Sequence, residues 1–408
     1  MEDVLIEFRG VTKRFGERTI LNSVNFSIYD NQVTTIIGKS GTGKSVLLKH
    51  IMGLLEPTEG TILFRGKPTE QMDRKELDAF RSKFSYCFQN NALFDSMTVF
   101  ENIALPLRQT TKLDKNEIEK RVMEKVEQVE LLEVHNKYPS EISGGMQKRV
   151  ALARALITDP HIVLFDEPTT GQDPVRKNAI LGMIAQNQKK FGFTTIMISH
   201  EIPDVFFISD RILILYDGDI IFQGSYNELD NLDHPMVDEF VKSLEGFQDE
   251  LTGLHTKKSF DSAYEKRLDE KEPHETVIAI VFSLDDIDEM DDKLGPTKTQ
   301  EVLQYLGEKV NKHFGNVGIS IRIGRNRIVT MLTETDKQTA EQMLEVFAED
   351  TREKGLGQLQ AHGNTENVST LTTFSLSAGL AEGGASEGMD ALSKKAKSSQ
   401  KAIAGFPM

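Results

Sequence analysis

Residues 33–45 read VTTIIGKSGTGKS, a run of apolar and β-branched residues that gives way at once to glycines, hydroxyls and lysines. Val33–Ile37 is bounded by turn residues and predicts a short buried strand. Residues 38–45 have the phosphate-loop spacing, Gly38 and Gly43 bracketing Lys39, Ser40, Gly41 and Thr42 before Lys44 and Ser45. The two glycines let the backbone curl so that successive N–H groups point inward at phosphates. Lys44 supplies a point charge for the β and γ phosphates, and Ser45 offers its hydroxyl to Mg²⁺. The helix expected to begin here adds its positive end. Strand, phosphate loop and helix together predict an α/β fold.

Upstream, VLIEFRGV (4–11) and VNFSI (24–28) alternate across turn residues as antiparallel strands do. Downstream, LDKNEIEKRVMEKVEQVELL (113–132) places Ile118, Val122, Val126 and Val129 on one helical face, with Asp114 and Glu117 as a capping pair. HIVLFDEP (161–168) and TTIMISHE (194–201) are short apolar strands ending in polar residues, as parallel strands do when their C-terminal ends face a ligand. RILILYDGDIIFQG (211–224) predicts a hairpin across Asp217 and Gly218. A first domain is expected over 1–245.

In IVLFDEP, Asp166 is placed to hold Mg²⁺ and Glu167 to orient or deprotonate an attacking water. ISGGMQKRVALARAL (142–156) poses a different problem, because it offers a second anion-seeking helix start, a serine followed by two glycines, to a chain that already has one.

These motifs, with the glutamine of YCFQNNALFDSMTVFEN (86–102) and with TTGQDP (169–174), stand in the order found in ATP-binding-cassette ATPases, which the chain resembles from residue 4 to about 245. The resemblance implies a P-loop NTPase with a RecA-like core, an antiparallel β subdomain and a helical subdomain, binding ATP and Mg²⁺ and hydrolysing ATP. It implies a homodimer in which Ser143, Gly144, Gly145 and Gln147 of one chain close in trans on the nucleotide held by the other. It also implies that Phe15, in VTKRFGER, stacks on adenine, that Gln89 contacts Mg²⁺ or water, that Asp173 couples the two subunits, and that His200 bonds the γ-phosphate.

FQNNALFDSMTVFENIALPL (88–107), SGGMQKRVALARAL (143–156) and DEPTTGQDP (166–174) are similar to the ATPase subunits of Mla-type phospholipid-trafficking transporters. That branch implies docking on an integral-membrane permease at the cytoplasmic face of the inner membrane, with a membrane-anchored lipid-binding subunit as a further partner. An amino-acid or other small-solute importer, or an adaptor outside transport, shares the same motifs. Leu93, Phe94 and Met97 either leave a groove for a partner's helix or pack the helical subdomain.

Residues 246–272 mix charges of both signs with few apolar anchors and read as a linker, helical in part. From 273 to 408 the pattern runs strand, helix, hairpin, helix, strand and then a Gly, Ala, Ser and Lys-rich end with a short helix and a loose tail. This small α+β domain resembles a degenerate GGDEF (diguanylate cyclase-like) domain. SLDDIDEMDDKLG (283–295) stands where that family has its metal Asp and an Asn-Asp-x-x-Gly, and RIGRNRI (322–328) where it has Arg-x-Gly-Gly-Asp-Glu-Phe. Ser283 replaces the first metal carboxylate, while Asn326 and Arg327 replace the acidic pair, so the two-metal arrangement is absent. The six acidic residues from Asp285 to Asp292 lack an EF-hand's glycine and final glutamate and read as a solvated turn. A regulatory or assembly role without cyclase activity is expected; nucleotide binding, dimerisation and recruitment remain open.

Composition sets the outer bounds. The chain has 408 residues, 38% hydrophobic and 27% charged, enough for two or three cored domains. A formal charge of -15 argues against a nucleic-acid partner held by a basic surface. One cysteine, Cys87, makes no internal disulfide, and no charged-then-apolar leader precedes the first motif, so a reducing cytoplasmic compartment is expected. The apolar runs fall short of the ~18–20 residues of a membrane helix.

Overall fold

Alternation builds the first layer: β1 (Val4–Phe15) and β2 (Arg18–Tyr29) pair antiparallel, with Phe8 and Phe26 opposite one another and stacked at 4.2 Å. β4 (Glu59–Phe64) and β5 (Lys67–Pro68) complete a four-stranded sheet in the order β2-β1-β4-β5. The computed structural model describes residues 3–39, 41–87, 92–172, 174–200, 202, 204–230, 232, 234, 237, 240, 249–257, 259–260, 262–264, 276–356, 373–384 and 387–407. The chain divides into two compact units, 1–201 with 208–237, and 202–207 with 238–408.

The second layer of the first unit grows from β3 (Val33–Ile37), which is buried along its whole length, as a strand covered on both faces must be. It sits inside a six-stranded sheet with β6 (Phe84–Cys87), β7 (Ile162–Asp166), β8 (Thr194–Ser199), β9 (Arg211–Tyr216) and β10 (Asp219–Gly224), in the order β10-β9-β3-β8-β7-β6. The pairs β3–β8, β3–β9, β7–β8 and β6–β7 are parallel. The β9–β10 hairpin turns through Asp217 and Gly218, both at positive φ. α1 (Lys44–Ile51) and α2 (Arg74–Arg81) supply Leu47, Ile51 and Phe80 to the core that these two sheets share.

A separate core belongs to α3 (Val99–Thr110), α4 (Lys115–Gln128) and α5 (Gly144–Leu156). The stripe Ile118, Val122, Val126 and Val129 packs there against Ile103, Leu107 and Val150. Asp114 caps α4 by accepting from the Glu117 N–H at 2.9 Å. α6 (Pro174–Phe191) joins β7 to β8, and α7 (Tyr226–Asp230) comes after β10.

In the second unit β11 (Thr276–Leu284), β12 (Gly318–Ile323), β13 (Arg327–Leu332), β14 (Thr373–Gly384) and β15 (Lys401–Pro407) form an antiparallel sheet in the order β12-β13-β11-β14-β15. Phe282 of β11 meets Phe314 of α9 (Pro296–Phe314) and Phe347 of α10 (Lys337–Lys354), with ring centroids 5.6 and 4.9 Å away. Val277, Ala279 and Val281 alternate with that face and pack against Phe260 and against Leu392 and Ala396 of α11 (Met389–Ser398).

Three expectations change here. The acidic stretch is a helix, α8 (Ile287–Leu294), because Ile287 and Met290 lie on one face and bury, taking Asp291 with them. The tail is not loose, since 401–407 pairs with β14, a contact invisible to local periodicity. The described part of the stretch read as a linker is no spacer either. Leu251, Leu254 and Phe260 are buried, and the His255 N–H bonds the Ser320 carbonyl at 3.1 Å. The expected boundary at 245 lies outside the described residues. No helix among the described residues is long and apolar enough to cross a membrane.

Emptying the aromatic centre of the second unit with Phe282→Ala is expected to cost about 3–5 kcal/mol. In denaturant titrations its unfolding transition should move to lower concentration while nucleotide binding by the first unit persists.

Candidate active site

Parallel register decides which loops meet. Ile37 pairs with Ser199 and Asp166 pairs with Ile198, so the segments leaving β3, β8 and β7 emerge side by side at the C-terminal edge of the sheet, where open α/β sheets bind ligands. Those segments begin with Gly38, His200 and Glu167.

The loop after β3 is shaped by its glycines. A Cβ on Gly38 would lie 2.8 Å from Thr42 Oγ1 and 2.9 Å from the Leu215 carbonyl. Gly43 has φ 104°, and its Cβ would meet Ile20 Cγ2 at 2.9 Å. Gly43 is also the cap of α1, which has no side-chain cap and no acidic residue in its first turn, so the positive end of the helix faces the loop uncompensated. Lys44 Nζ donates to the carbonyls of Gly38 at 2.6 Å and Lys39 at 2.9 Å, folding its ammonium into the loop. Burial pulls the Lys44 ammonium below the ordinary lysine range, and the carboxylates of Glu167 and Asp166 oppose that pull. An anion beside it would oppose that pull further. Ser40 lies outside the described residues.

Glu167 sits at φ 48°, a left-handed conformation that non-glycine residues seldom adopt outside functional sites. Its N–H bonds the Ile198 carbonyl at 3.0 Å, which holds the turn against β8. Its carboxylate has two neighbours: His200 Nδ1 lies 3.2 Å from Oε1, and the Thr170 hydroxyl donates to Oε2 at 3.3 Å. The adjacent Asp166 accepts from the Tyr86 hydroxyl at 2.6 Å. Burial first, and then Asp166, push the Tyr86 phenol above its ordinary pKa, so it stays a donor across the physiological range. A carboxylate against an imidazole, one residue from a second carboxylate and beside a phosphate loop, is an arrangement suited to activating a water next to a phosphoryl group.

Sequence reasoning brought together the phosphate loop, Asp166, Glu167 and His200, and the sheet does unite them. It missed Tyr86 and Thr170, whose only signal was position, one strand over or three residues on. It also missed Asn102, fully buried in α3. The Asn102 side chain accepts from the Phe94 N–H at 2.8 Å and donates to the carbonyls of Phe94, Met97 and Thr98 at 3.0–3.1 Å, fixing the segment after Asn91. Phe94 itself is 49% exposed, and Phe15 is 51% exposed at the end of β1, where a buried core phenylalanine would not be.

Ser143 caps α5 by accepting from the Met146 N–H at 3.3 Å. Ser143, Gly144 and Gly145 are all exposed, a Cβ on either glycine would meet nothing, and the first turn of α5 contains no acidic residue. Gln147 donates to the Pro139 carbonyl at 2.9 Å. Gln89 and Asp173 lie outside the described residues. Cys87 is half-buried, and burial pushes its thiol up to about 12. Among the described residues no group of three or more His, Cys, Asp or Glu side chains forms a metal site by itself.

The profile described as "ABC transporter" matches residues 21–170, and the profile described as "Diguanylate cyclase, GGDEF domain" matches residues 247–398. The chain is 38% identical over 242 residues to the intermembrane phospholipid transport system ATP-binding protein MlaF of Haemophilus influenzae, covering 59% of this chain and 92% of that one. It is 40% identical over 238 residues to the probable ribonucleotide transport ATP-binding protein mkl of Mycobacterium leprae, covering 58% and 69%. Among solved structures it resembles cbiO1 from Clostridium perfringens, part of the ABC transporter complex cbiONQ, with a TM-score of 0.53 and 29% identity over 59% of this chain and 94% of that one.

Glu167→Gln is expected to lower nucleoside triphosphate turnover about 10²–10⁴-fold, the range for loss of a general base, with equilibrium nucleotide binding retained. Phosphate release and binding titrations check both, and unchanged turnover would remove Glu167 from this role. Tyr86→Phe, which deletes one hydrogen bond to a charged acceptor, should reduce kcat/KM about tenfold.

Proposed function

The chain belongs to the ATP-binding subunits of ABC transporters and hydrolyses ATP, and from that premise we propose that it works as a homodimer that energises an inner-membrane permease moving phospholipid. The observation that carries the catalytic part is the contact of Glu167 with His200 at 3.2 Å, on the strand ends beside the phosphate loop. Glu167 takes the proton of the attacking water, and His200 turns its imidazole to the γ-phosphate. Lys44 and the N–H groups of residues 38–45 hold the phosphates, and Phe15 stacks its exposed ring on adenine. Asp173 bridges the two subunits.

Mg²⁺ fits the donors present, because Ser45, Asp166 and Gln89 each have a side-chain oxygen, the ligand a hard cation selects. Bound there, it would neutralise charge on the β and γ phosphates.

The exposed start of α5 supports closure in trans. Ser143, Gly144 and Gly145, with Gln147 behind them, present a serine hydroxyl and an uncompensated helix end with no anion of their own chain in their first turn. The γ-phosphate held by a second copy supplies one. Two charge-seeking helix ends, one per protomer, then enclose each nucleotide, and hydrolysis releases the grip.

Phospholipid is favoured as cargo because the similarity to the phospholipid-transport relative spans 92% of that chain, against 69% of the ribonucleotide-transport relative. The exposed Phe94, on the segment fixed by Asn102, supports docking of a permease helix on the cytoplasmic face of the membrane, with a membrane-anchored lipid-binding subunit as further partner.

Glu167→Gln protein is expected to dimerise at saturating Mg·ATP, measured by analytical ultracentrifugation alone and by crosslinking in membranes with its partners. A chain that stays monomeric in both overturns the closure in trans. Membrane pull-down should retain a permease and a lipid-binding subunit, and the reconstituted complex should be stimulated by phospholipid vesicles. Stimulation by free ribonucleotides or amino acids instead would overturn the cargo.

A further inference from the structure

The helical part of the first unit holds a cavity of about 420 Å³ that shares no residue with the nucleotide site. Its size is within the range that takes a small ligand. Its walls are α3, the first turns of α4 and the turn at His135. The Phe100 N–H bonds the His135 carbonyl at 2.8 Å, and the Val99 N–H bonds the Lys137 carbonyl at 2.8 Å, so the start of α3 is tied to that turn. α3 ends at Thr110 and α4 begins at Lys115, capped by Asp114, so the short connection between them brings Arg108 and Lys115 to the same cavity.

Burial sorts the lining. Ile118 is buried and Phe100 and Met123 are half-buried, so they form an apolar floor, whereas Arg108, Lys115 and Glu119 are exposed and stand at the rim. Neither Arg108 nor Lys115 makes an ion pair or a side-chain hydrogen bond among the described residues. Arg121, farther along α4, shows the contrast, since it pairs with Glu117 at 2.8 Å. Lys115 does not pair with Glu119 four residues on, the order of charges that is the weaker one on a helix. The Nδ1 atom of His135 lies 2.5 Å from the Leu132 carbonyl. A carbonyl only accepts, so Nδ1 carries the hydrogen, and Nε2 has no hydrogen-bond partner among the described residues. Two cations against one carboxylate leave the rim with a single net positive charge.

We propose that this cavity binds an amphiphilic monoanion, a carboxylate or phosphodiester carrying one apolar chain. The chain covers Phe100, Ile118 and Met123, and the head group meets Arg108, Lys115 and His135. Arg108 offers a planar fork that matches two oxygens of either head group. A purely apolar ligand gains nothing from the rim, a small hydrophilic anion gains nothing from the floor, and a dianion exceeds the one net charge that the rim supplies. A free fatty acid and the phosphodiester head group of a membrane lipid share this chemistry. The phosphate loop, Glu167 and His200 take no part in it, so it stands apart from the catalytic roles given to them.

The test is isothermal titration calorimetry of the full-length protein with dodecanoate below its micelle concentration. Saturable binding is expected, about tenfold or more tighter than that of octanoate, which has four fewer methylenes to bury, and tighter than that of dodecanol, which lacks the charge. Arg108→Gln combined with Lys115→Gln should weaken dodecanoate about 10- to 100-fold. Glu119→Gln removes the opposing charge and should tighten it about threefold. Lys120→Gln, at an exposed cation of α4 outside the cavity, should leave affinity as it was. All four side chains are exposed, and circular dichroism confirms that each variant is folded. Flotation with phosphatidylglycerol vesicles separates the two sources. Capture that the double variant loses identifies a lipid head group, and dodecanoate binding without capture identifies a free acid. The site is overturned if dodecanoate does not bind and vesicles are not captured, if dodecanol binds as tightly as dodecanoate, or if the folded double variant retains full affinity for both.

Discussion

One backbone hydrogen bond, from the Glu167 N–H to the Ile198 carbonyl at 3.0 Å, sets the terms for the nucleotide site. It forms where β7 ends beside β8, and it closes a turn that places a glutamate at φ 48°. That conformation is costly for a side chain with a Cβ, by about 1–3 kcal/mol. It persists because the surrounding parallel register, Asp166 opposite Ile198 and Ile37 opposite Ser199, leaves the chain no other exit. Moved out of that turn, Glu167 would lose its contact with His200. The strain is thus local, and the packing that enforces it is the whole buried centre of the sheet, Ile36, Leu164, Ile196 and Leu213.

Charge obeys the same logic. The protein is strongly acidic overall, with a formal charge of -15, yet the starts of α1 and α5 are local anion-seeking elements. α1 and α5 both start with no acidic residue in the first turn, and Lys44 is folded against the loop carbonyls with its ammonium held below the ordinary range by burial. Net charge over the whole chain and the local partial charge at these two helix starts therefore have opposite signs. The screening length of about 8 Å in physiological salt lets them coexist, and solubility and nucleotide affinity are set independently.

What could be read from the sequence was what is encoded locally. The phosphate loop is eight consecutive residues, the helix stripe of Ile118, Val122, Val126 and Val129 repeats every three or four, and the Asp217–Gly218 turn is two residues long. Each signal survives without knowledge of the fold. Tyr86 and Asp166, by contrast, are eighty positions apart, and Arg322 meets Asp204 across 118. No periodicity or motif marks such pairs; they exist only once strands have chosen partners. The same blindness turned α8 into an expected acidic turn and β15 into an expected loose tail, because an acidic helix with two buried residues and a strand that pairs only at the chain's end both look polar in isolation.

The second unit keeps the scaffold of the GGDEF domain that it matches while the residues at the family's motif positions differ. Asp285, two residues after the position where the related family has its first metal carboxylate, accepts from the hydroxyls of Ser375 at 2.6 Å and Ser377. Ser283, at that position, accepts from Gln400 Nε2 at 2.7 Å. Arg325, in place of a glycine, fills the space beside Asp288 and Asp291 with a guanidinium. Protein donors thus satisfy Asp285 and Ser283, and a guanidinium is paired with Asp288 and Asp291. Arg322, the arginine that the family pattern keeps, and Arg325, which replaces its second glycine, both lie beside the ring of Phe207.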